Sequence, residues 1–200
     1  LVFFLIARKA GAALIAGCSI VIKPAQLTPE NCCEFAKVVD ETGLPKGLFN
    51  VVTGKGSVVG NALAASPKID IVSVTGSVGA GESIMKAAAN NITKVSLELG
   101  GKAPVVVFPD ADLELAAQAI LDSRIGNNGQ ICNNAERLYV HKDVLEKLTD
   151  MLIKKFSAVK VGDPFSSDDI DMGPLVEQRA LESVQAKLAK AVEQGAKVLV

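Results

Sequence analysis

IVSVTGSVGAG, residues 71–81, runs from an apolar strand pattern into a glycine-rich turn that opens a helix. Its β-branched residues predict a buried strand, and the three glycines leave little side-chain bulk where the helix begins. Free amide groups at such a helix start form an anion site that suits a phosphate or a pyrophosphate. A glycine-rich turn without a ligand is the alternative, and spacing alone leaves both interpretations open.

The alternation of strand and helix continues on both sides of this stretch and predicts an α/β fold with a parallel sheet and crossover helices. Thr28 is the predicted N-cap of the second helix, with Pro29 as its first residue and Gly43 as its end. The first half is therefore Rossmann-like. Its predicted strands are 19–23, 48–53, 69–75 and 93–97, and its predicted helices are 28–42, 56–65 and 78–90.

A second α/β series begins after Gly100-Gly101, which we take as the domain boundary. The apolar segment 1–7 is interpreted as the buried face of a helix. Because the chain lacks an initiator Met and ends on an apolar run, we expect it to be truncated at both ends. The second series comprises strands 103–108 and 137–141, helices 113–125, 144–156 and 177–194, a long polar loop over 161–172, and an interrupted strand at 198–200.

The amino-acid composition and net charge of the chain limit the kinds of partner that it is expected to bind. The chain has 200 residues, of which 49% are hydrophobic, and its net charge is −1 without any long basic run. This pattern predicts a globular protein that binds a small molecule, with no nucleic acid and no membrane as partner. Segment 1–7 is far shorter than the roughly 20 apolar residues that span a bilayer.

The four cysteines have neither metal-ligand spacing nor the density of a disulfide scaffold. We therefore expect no metal site and a reducing, cytoplasmic location. Cys18, Cys32 and Cys33 lie among apolar residues, which predicts buried structural thiols. Cys132 differs because glycine and polar residues flank it.

Cys132 and Glu98 form a candidate nucleophile and base. A thiolate can add to a carbonyl, and a carboxylate on another element can later activate water, which suits covalent catalysis through a thioester. Backbone amides around Cys132 are candidate oxyanion donors. Spacing alone also permits a structural Cys132 and a buried Glu98 paired with a lysine. His141, the single histidine, is predicted at an exposed strand end, which argues against a Cys-His hydrolase.

Two weaker signals lie in the first half. Residues 54–60 resemble a dinucleotide fingerprint but carry one residue too many between the second and third glycines, so a simple turn with close helix packing stays open. Lys23 ends the first strand, at the carboxyl edge where open α/β sheets bind ligands. A solvated lysine is the alternative there.

Taken in order, these motifs resemble the aldehyde dehydrogenase superfamily over the whole chain. LELGGKAP at 97–104 is similar to the family's glutamate motif, and GQIC at 129–132 is similar to its cysteine motif. The resemblance implies catalytic roles for Cys132 and Glu98, and it implies NAD or NADP as coenzyme. The positions that it implies for coenzyme binding are Lys23, Ala25, Gln26, Gly56, Gly60, Gly76, Ser77, Gly81 and Leu99.

The resemblance also implies a division of labour. Residues 1–101 would be part of the NAD(P)-binding domain, with the pyrophosphate near Ser77 and the adenosine ribose near Lys23. Residues 102–200 would be part of the catalytic domain. Cys132 would form a thiohemiacetal that becomes a thioester, and Glu98 would activate the water that releases the acid.

Three departures from the family's usual sequence pattern affect the expected coenzyme choice and the expected activity. The family usually has a glutamate at the position of Gln26, and a neutral amide would not repel a 2′-phosphate, so we expect NADP to be tolerated. The family's oxyanion asparagine falls before Leu1, and its Glu-x-Phe-Gly-Pro segment falls beyond Val200. We therefore expect these 200 residues alone to be inactive.

The sequence around the thiol, residues 132–137, is similar to the lactaldehyde and glycolaldehyde dehydrogenase branch, as are residues 91–95. This favours a small hydroxyaldehyde as substrate, with succinate semialdehyde second. Two other functions stay open: a non-catalytic binding protein with the coenzyme fold, and an acylating dehydrogenase that uses coenzyme A. The resemblance further implies a homo-oligomer when the protein is full length.

Overall fold

The computed structural model describes residues 2–200, with side chains from Phe3 onward. It contains two compact units, Leu1–Gly100 and Gly101–Val200, so the division falls within the glycine pair. Each unit has helices beside parallel strands. The predicted α/β class is confirmed. In the described part of the chain, no helix has both the length and the apolar character that crossing a membrane requires.

Unit 1 is built from two parallel strand pairs. Its elements are α1 (Val2–Ile15), β1 (Ile20–Ile22), α2 (Glu30–Glu41), β2 (Phe49–Val51), a π-helical turn (Gly56–Gly60), α3 (Asn61–Ala64), β3 (Ile71–Gly76), α4 (Val78–Ala89) and β4 (Lys94–Leu99). Strand β1 pairs with β2, and β3 pairs with β4 over six residues. In each pair a helix connects the two strands and carries the chain back, so that the second strand runs parallel to the first.

The apolar opening of the chain belongs to the helix α1, as predicted, but Ile6 is the one buried side chain among the described residues 3–7, so this segment is not a buried face. Ile6 and Ala10 are buried, whereas Phe3 is about half exposed. The ring of Phe3 meets Phe35 of α2 edge to face, with ring centroids 5.1 Å apart, and Phe35 meets Phe49 of β2 at 5.6 Å. Edge-to-face pairs add to the burial of apolar surface, so these three rings join α1, α2 and β2.

Unit 2 has one parallel strand pair. Its elements are β5 (Pro104–Val107), α5 (Leu113–Ile125), a 3-10 turn (Gly126–Gly129), β6 (Arg137–Val140), α6 (Lys142–Ser157) and α7 (Gln178–Glu193). Asp112 begins α5 because its carboxylate accepts the amides of Glu114 and Leu115. Val107, Ala117, Ile120 and Leu148 form the core, which packs α5 and α6 against β5.

Several sequence expectations were wrong in detail. The predicted helix over 56–65 is a π-helical turn followed by a single α-helical turn, because Gly56 and Gly60 both weaken regular helix. Thr28 does not cap α2, which follows Pro29 without a side-chain cap. The strand pairs of unit 1 do not join by hydrogen bonds into one sheet among residues 2–200.

Two further expectations failed because sequence neighbours differ from spatial neighbours. Residues 198–200 form no strand, since no described strand pairs with them. Cys18 is exposed rather than buried, because it lies in the connection after α1, beyond Gly17 with its φ of 78°. Cys32 is buried and Cys33 is partly buried, and burial raises the pKa of the Cys32 thiol.

Candidate functional site

The start of α4 has the geometry that the sequence predicts. Ser77 is its N-cap, with φ −75° and ψ 160°, and the Ser77 Oγ accepts the amide of Ala80 at 3.2 Å. Gly76 and Gly79 on either side are exposed. The first amides of a helix lack acceptors within it and carry the positive end of its dipole. An anionic group would therefore be stabilised at this exposed end.

Gly81 has a packing role that is independent of any ligand. A Cβ at this position would stand 2.9 Å from Leu99 Cδ2 and 3.5 Å from Leu97 Cδ1. Real Cβ atoms do not approach carbon so closely, so a Cβ at this position would displace the Leu99 side chain, whereas glycine leaves it in place between α4 and β4. Leu99 and Gly81, both expected near the coenzyme, thus contact each other.

Lys23 directly follows β1 and is half-buried. Its ammonium group donates to the carbonyl oxygen of Pro24 at 2.5 Å and to that of Gly54 at 3.4 Å. Its Cδ lies 3.9 Å from where a Cβ on Gly60 would stand. The lysine is therefore held between the end of β1 and the turn after β2.

The remaining expected coenzyme positions of unit 1 are open. Ala25 and Gln26 are exposed in the turn after Lys23. A Cβ on Gly56 would meet no atom within 4 Å, so packing does not explain a glycine there. Unit 1 thus brings Lys23 and Gly60 together, and separately Gly81 and Leu99.

Glu98 is an exposed residue of β4, opposite Thr75 of β3. Its side chain is 53% exposed, and its Oε1 lies 3.9 Å from Arg8 Nη2. The alternative of a buried Glu98 paired with a lysine is therefore wrong. A half-exposed carboxylate remains reachable by water.

Two basic residues of α1 lie beside Glu98 and its strand partner, and the sequence did not predict them there. Lys9 Nζ donates to Ser73 Oγ at 2.7 Å and to Thr75 Oγ1 at 3.2 Å, and Arg8 pairs with Glu98. Burial lowers the pKa of Lys9, while the Glu98 charge opposes this shift. In the sequence both residues mark only the end of the apolar opening, and no local pattern predicts contacts with strands more than sixty residues away.

Cys132 stands in a loop with an unusual backbone. We call residues 126–136 the thiol loop. Cys132 is exposed and its thiol is free. Asn127, Asn128 and Gly129 just before it have φ values of 49°, 56° and 74°. Asparagine and glycine adopt this left-handed conformation at the least cost, so the composition of the segment fits its shape.

Ion pairs hold the C-terminal end of the thiol loop. The Glu136 carboxylate pairs with Lys102 and, at 3.3 Å, with Arg124 Nη1 of α5. Lys102, paired with the Glu136 carboxylate, and after it Arg124 lower the pKa of Glu136, although burial opposes the shift. These pairs tie the residues after Cys132 to the segment before β5 and to α5.

Backbone contacts hold the loop close to the start of unit 2. Asn134 is buried, and the amide of Ala135 donates to Ser123 Oγ at 3.0 Å. The carbonyl oxygen of Cys132 lies 3.1 Å from where a Cβ on Gly101 would stand. The second glycine of the glycine pair therefore permits a close approach of two backbones.

Cys132 belongs to unit 2 and Glu98 belongs to unit 1. Among residues 2–200 no group of three or more His, Cys, Asp or Glu side chains is placed to hold a metal ion. His141 is exposed and caps α6, where its Nδ1 accepts the amide of Asp143 at 3.4 Å. It has a structural explanation without a catalytic role.

Comparisons with known proteins agree over the whole chain. The lactaldehyde dehydrogenase of Escherichia coli K12 is 57% identical over 196 residues, which are 98% of this chain and 41% of that protein. A crystal structure of the lactaldehyde dehydrogenase from Escherichia coli has a TM-score of 0.97 at 56% identity, covering 100% of this chain and 42% of that one.

Other relatives are more distant. The NADP(+) succinate-semialdehyde dehydrogenase of Escherichia coli K12 is 43% identical over 98% of this chain and 40% of that protein. A structure of betaine aldehyde dehydrogenase from Staphylococcus aureus in complex with NAD+ has a TM-score of 0.92 at 36% identity, covering 96% of this chain and 38% of that one.

The chain thus spans about two fifths of the length of these relatives. The sequence model of the aldehyde dehydrogenase family matches residues 1–200, which includes both the Glu98 strand and the thiol loop. The chain belongs to the aldehyde dehydrogenase family.

Proposed function

We propose that the protein containing this chain oxidises an aldehyde to a carboxylic acid with NAD or NADP, through a covalent intermediate on Cys132. The observation that carries this proposal is the exposed thiol on a loop fixed by side chains, in a chain that matches the aldehyde dehydrogenase family from end to end. The net reaction consumes an aldehyde, an oxidised coenzyme and water, and yields the acid, the reduced coenzyme and a proton.

Cys132 acts as the nucleophile in this proposal. Its thiolate forms a carbon–sulfur bond to the carbonyl carbon, which leaves a tetrahedral thiohemiacetal with the charge on oxygen. Loss of hydride from that carbon gives a thioester. The exposure of Cys132 leaves room for the substrate, while the ties at Glu136, Asn134 and Ala135 restrict where the sulfur can stand.

Unit 1 supplies residues that fit a dinucleotide. The exposed N-terminus of α4 at Ser77 suits a pyrophosphate, and the ammonium group of Lys23 suits ribose hydroxyls or a phosphate. Open space at Gly56 and the exposed Ala25 and Gln26 place no bulky side chain in the way. When bound, the coenzyme would accept the hydride that leaves the substrate carbon.

Glu98 acts as the base of the second stage. Its half-exposed carboxylate accepts a proton from water, and the resulting hydroxide attacks the thioester carbon, which releases the acid and the Cys132 thiolate. Arg8 Nη2 lies 3.9 Å from Glu98 Oε1, beside the proposed base.

The substrate that we propose is a small hydroxyaldehyde such as lactaldehyde or glycolaldehyde, with succinate semialdehyde second. The support is similarity alone, since the relatives include a lactaldehyde dehydrogenase at 57% identity and a succinate-semialdehyde dehydrogenase at 43%. A homo-oligomeric state and a cytoplasmic location stay predictions.

The decisive experiment separates the two catalytic stages in the intact protein. Glu98→Gln should still form the thioester but hydrolyse it slowly, so the mass of the peptide containing Cys132 should rise by that of the acyl group after mixing with aldehyde and NAD or NADP. The unmodified protein should turn over steadily and form the acid. Steady hydrolysis by Glu98→Gln would contradict the role of Glu98, and an absence of acyl adduct and of coenzyme reduction would contradict the whole proposal.

The same experiment tests the other two functions. A product that forms only when coenzyme A is added, and that carries the thioester, would establish an acylating dehydrogenase instead. Coenzyme binding without reduction by any tested aldehyde would favour a non-catalytic binding protein.

A further inference from the structure

Asn128 of the thiol loop forms hydrogen bonds with the end of the long polar segment that follows α6. The Asn128 amide nitrogen donates to the carbonyl oxygen of Pro174 at 2.7 Å. Its amide oxygen accepts the backbone amide of Gly173 at 3.1 Å. One side chain therefore uses both halves of its amide to bridge two segments that lie about 45 residues apart in the sequence.

The far side of this bridge is itself well held. Gly162 donates to the carbonyl oxygen of Met172 at 3.0 Å, and the Asp171 carboxylate accepts the amide of Lys160 at 2.8 Å. Residues 161 and 172 form a parallel bridge. The segment that ends at Gly173 and Pro174 is thus anchored to residues 160–162, which follow α6, so Asn128 is attached to a fixed point.

The near side of the bridge is a backbone that needs support. Asn127, Asn128 and Gly129 have successive left-handed φ values, a conformation that a freed segment would leave for the more populated right-handed or extended regions. Such a change close to Cys132 in the chain would move the sulfur. The two hydrogen bonds of Asn128 oppose that change.

We propose that Asn128 is a positioning residue that fixes the thiol loop to Gly173 and Pro174 and thereby sets where the Cys132 sulfur stands. The catalytic part of this inference rests on the proposed function. The mechanical part does not, because the hydrogen bonds and the backbone conformation are properties of unit 2 alone.

Two substitutions separate the side-chain bridge from the backbone preference. Asn128→Ala removes both hydrogen bonds and also disfavours the left-handed conformation, whereas Asn128→Gly removes the bonds but keeps that conformation accessible. If the bridge positions the loop, both variants should behave alike. The matched control is Asp168→Ala, at an exposed position of the same polar segment, away from the Gly173 and Pro174 anchor.

The readouts are hydrogen exchange and steady-state kinetics of the intact protein. In both Asn128 variants, amides of residues 126–133 should exchange about tenfold faster, while exchange in β5 and α5 stays unchanged. The kcat with an aldehyde and NAD should fall about tenfold. The KM for the coenzyme should stay unchanged, since the proposed coenzyme residues all lie in unit 1. Asp168→Ala should match the unmodified protein in every measurement.

Three outcomes would overturn the inference. Wild-type exchange and kcat in Asn128→Gly would show that backbone preference, not the bridge, holds the loop. Faster exchange with unchanged kcat would show a bridge that does not position the thiol. Faster exchange spread over all of unit 2 would show a general loss of stability. If the unmodified protein oxidises no aldehyde, the proposed function fails, and the exchange comparison still decides whether the bridge exists.

Discussion

The start of α4 and the thiol loop are both glycine-containing polar segments next to parallel strands, but they are held in different ways. The α4 start depends on backbone groups, on the short-range cap of Ser77, and on close packing at Gly81. The thiol loop depends on side chains that reach distant segments, through Asn128 and Glu136. The structure of a site formed by backbone groups can be predicted from neighbouring residues in the sequence. The structure of a site held by side chains of distant segments cannot.

The largest effect should come from removing the group that the thiol loop presents. Cys132→Ser should lower kcat by at least about 10³-fold, because a hydroxyl lacks the nucleophilicity of a thiolate. The kcat is measured at saturating aldehyde from the absorbance of the reduced coenzyme. Cys18→Ser is the matched control, since Cys18 is also an exposed free thiol but lies outside the thiol loop. Equal losses in both variants would remove the special role of Cys132.

A pair of glycines tests whether the α4 start depends on packing. Gly81→Ala should lower the free energy of unfolding by about 1–3 kcal/mol, because its Cβ would overlap Leu99. Gly79→Ala, two residues earlier, has open space and should be neutral or up to about 1 kcal/mol more stable. Urea denaturation of both variants measures these changes in the free energy of unfolding. If they respond alike, packing does not explain Gly81.

The contact partner sharpens the same test. Adding Leu99→Ala to Gly81→Ala should relieve the overlap, so the double variant should lose less stability than the sum of the two single losses. Simple additivity would mean that α4 and β4 adjust around the new methyl group without strain.

The exposed turn after Lys23 should govern coenzyme choice. Gln26→Glu should raise the KM for NADP about tenfold and leave that for NAD nearly unchanged, because a carboxylate repels a 2′-phosphate but not a hydroxyl. Initial rates with each coenzyme measure the ratio. A strong preference for NAD in the unmodified protein would contradict the role assigned to Gln26.

The smallest effect concerns the charges that close the thiol loop. Lys102 and Arg124 lower the pKa of Glu136 below its usual value of 4.5, so its stabilising contribution is present above that value and is lost as the pH falls through the lowered pKa. Glu136→Gln should cost about 1 kcal/mol at pH 7, and the deficit should vanish in strong acid.

Thermal denaturation of Glu136→Gln across pH measures this dependence. Glu146→Gln, at an exposed position of α6, is the matched control and should be neutral at every pH. A deficit that persists unchanged at low pH would show that the Glu136 charge is not its cause. Added salt should reduce the deficit at pH 7 as well.

The sequence predicted those parts of the fold that local pattern determines. The strand β3 and the helix α4 follow from β-branched residues and glycine within one continuous stretch, although no residue of β3 is buried, contrary to the prediction of a buried strand. The exposed setting of Cys132 also follows from its polar neighbours. These features depend on residues that are close in the sequence.

The other features of the fold and the site depend on contacts between residues that are far apart in the sequence. Lys9 meets Ser73 and Asn128 meets Pro174 because helices and loops return to distant strands. Cys18 is exposed for the same reason, since its apolar neighbours along the chain do not enclose it in space. The break at residues 56–65 reflects a balance between apolar spacing and two glycines that pattern alone does not decide.

The pairing order of the strands has a consequence for synthesis. Each described strand pairs with a neighbour in chain order, β1 with β2, β3 with β4 and β5 with β6. No pair therefore has to wait for a strand that is made much later, which keeps contact order low for a parallel topology. On the ribosome, each strand–helix–strand segment can close as soon as its second strand emerges, so folding can follow the direction of translation.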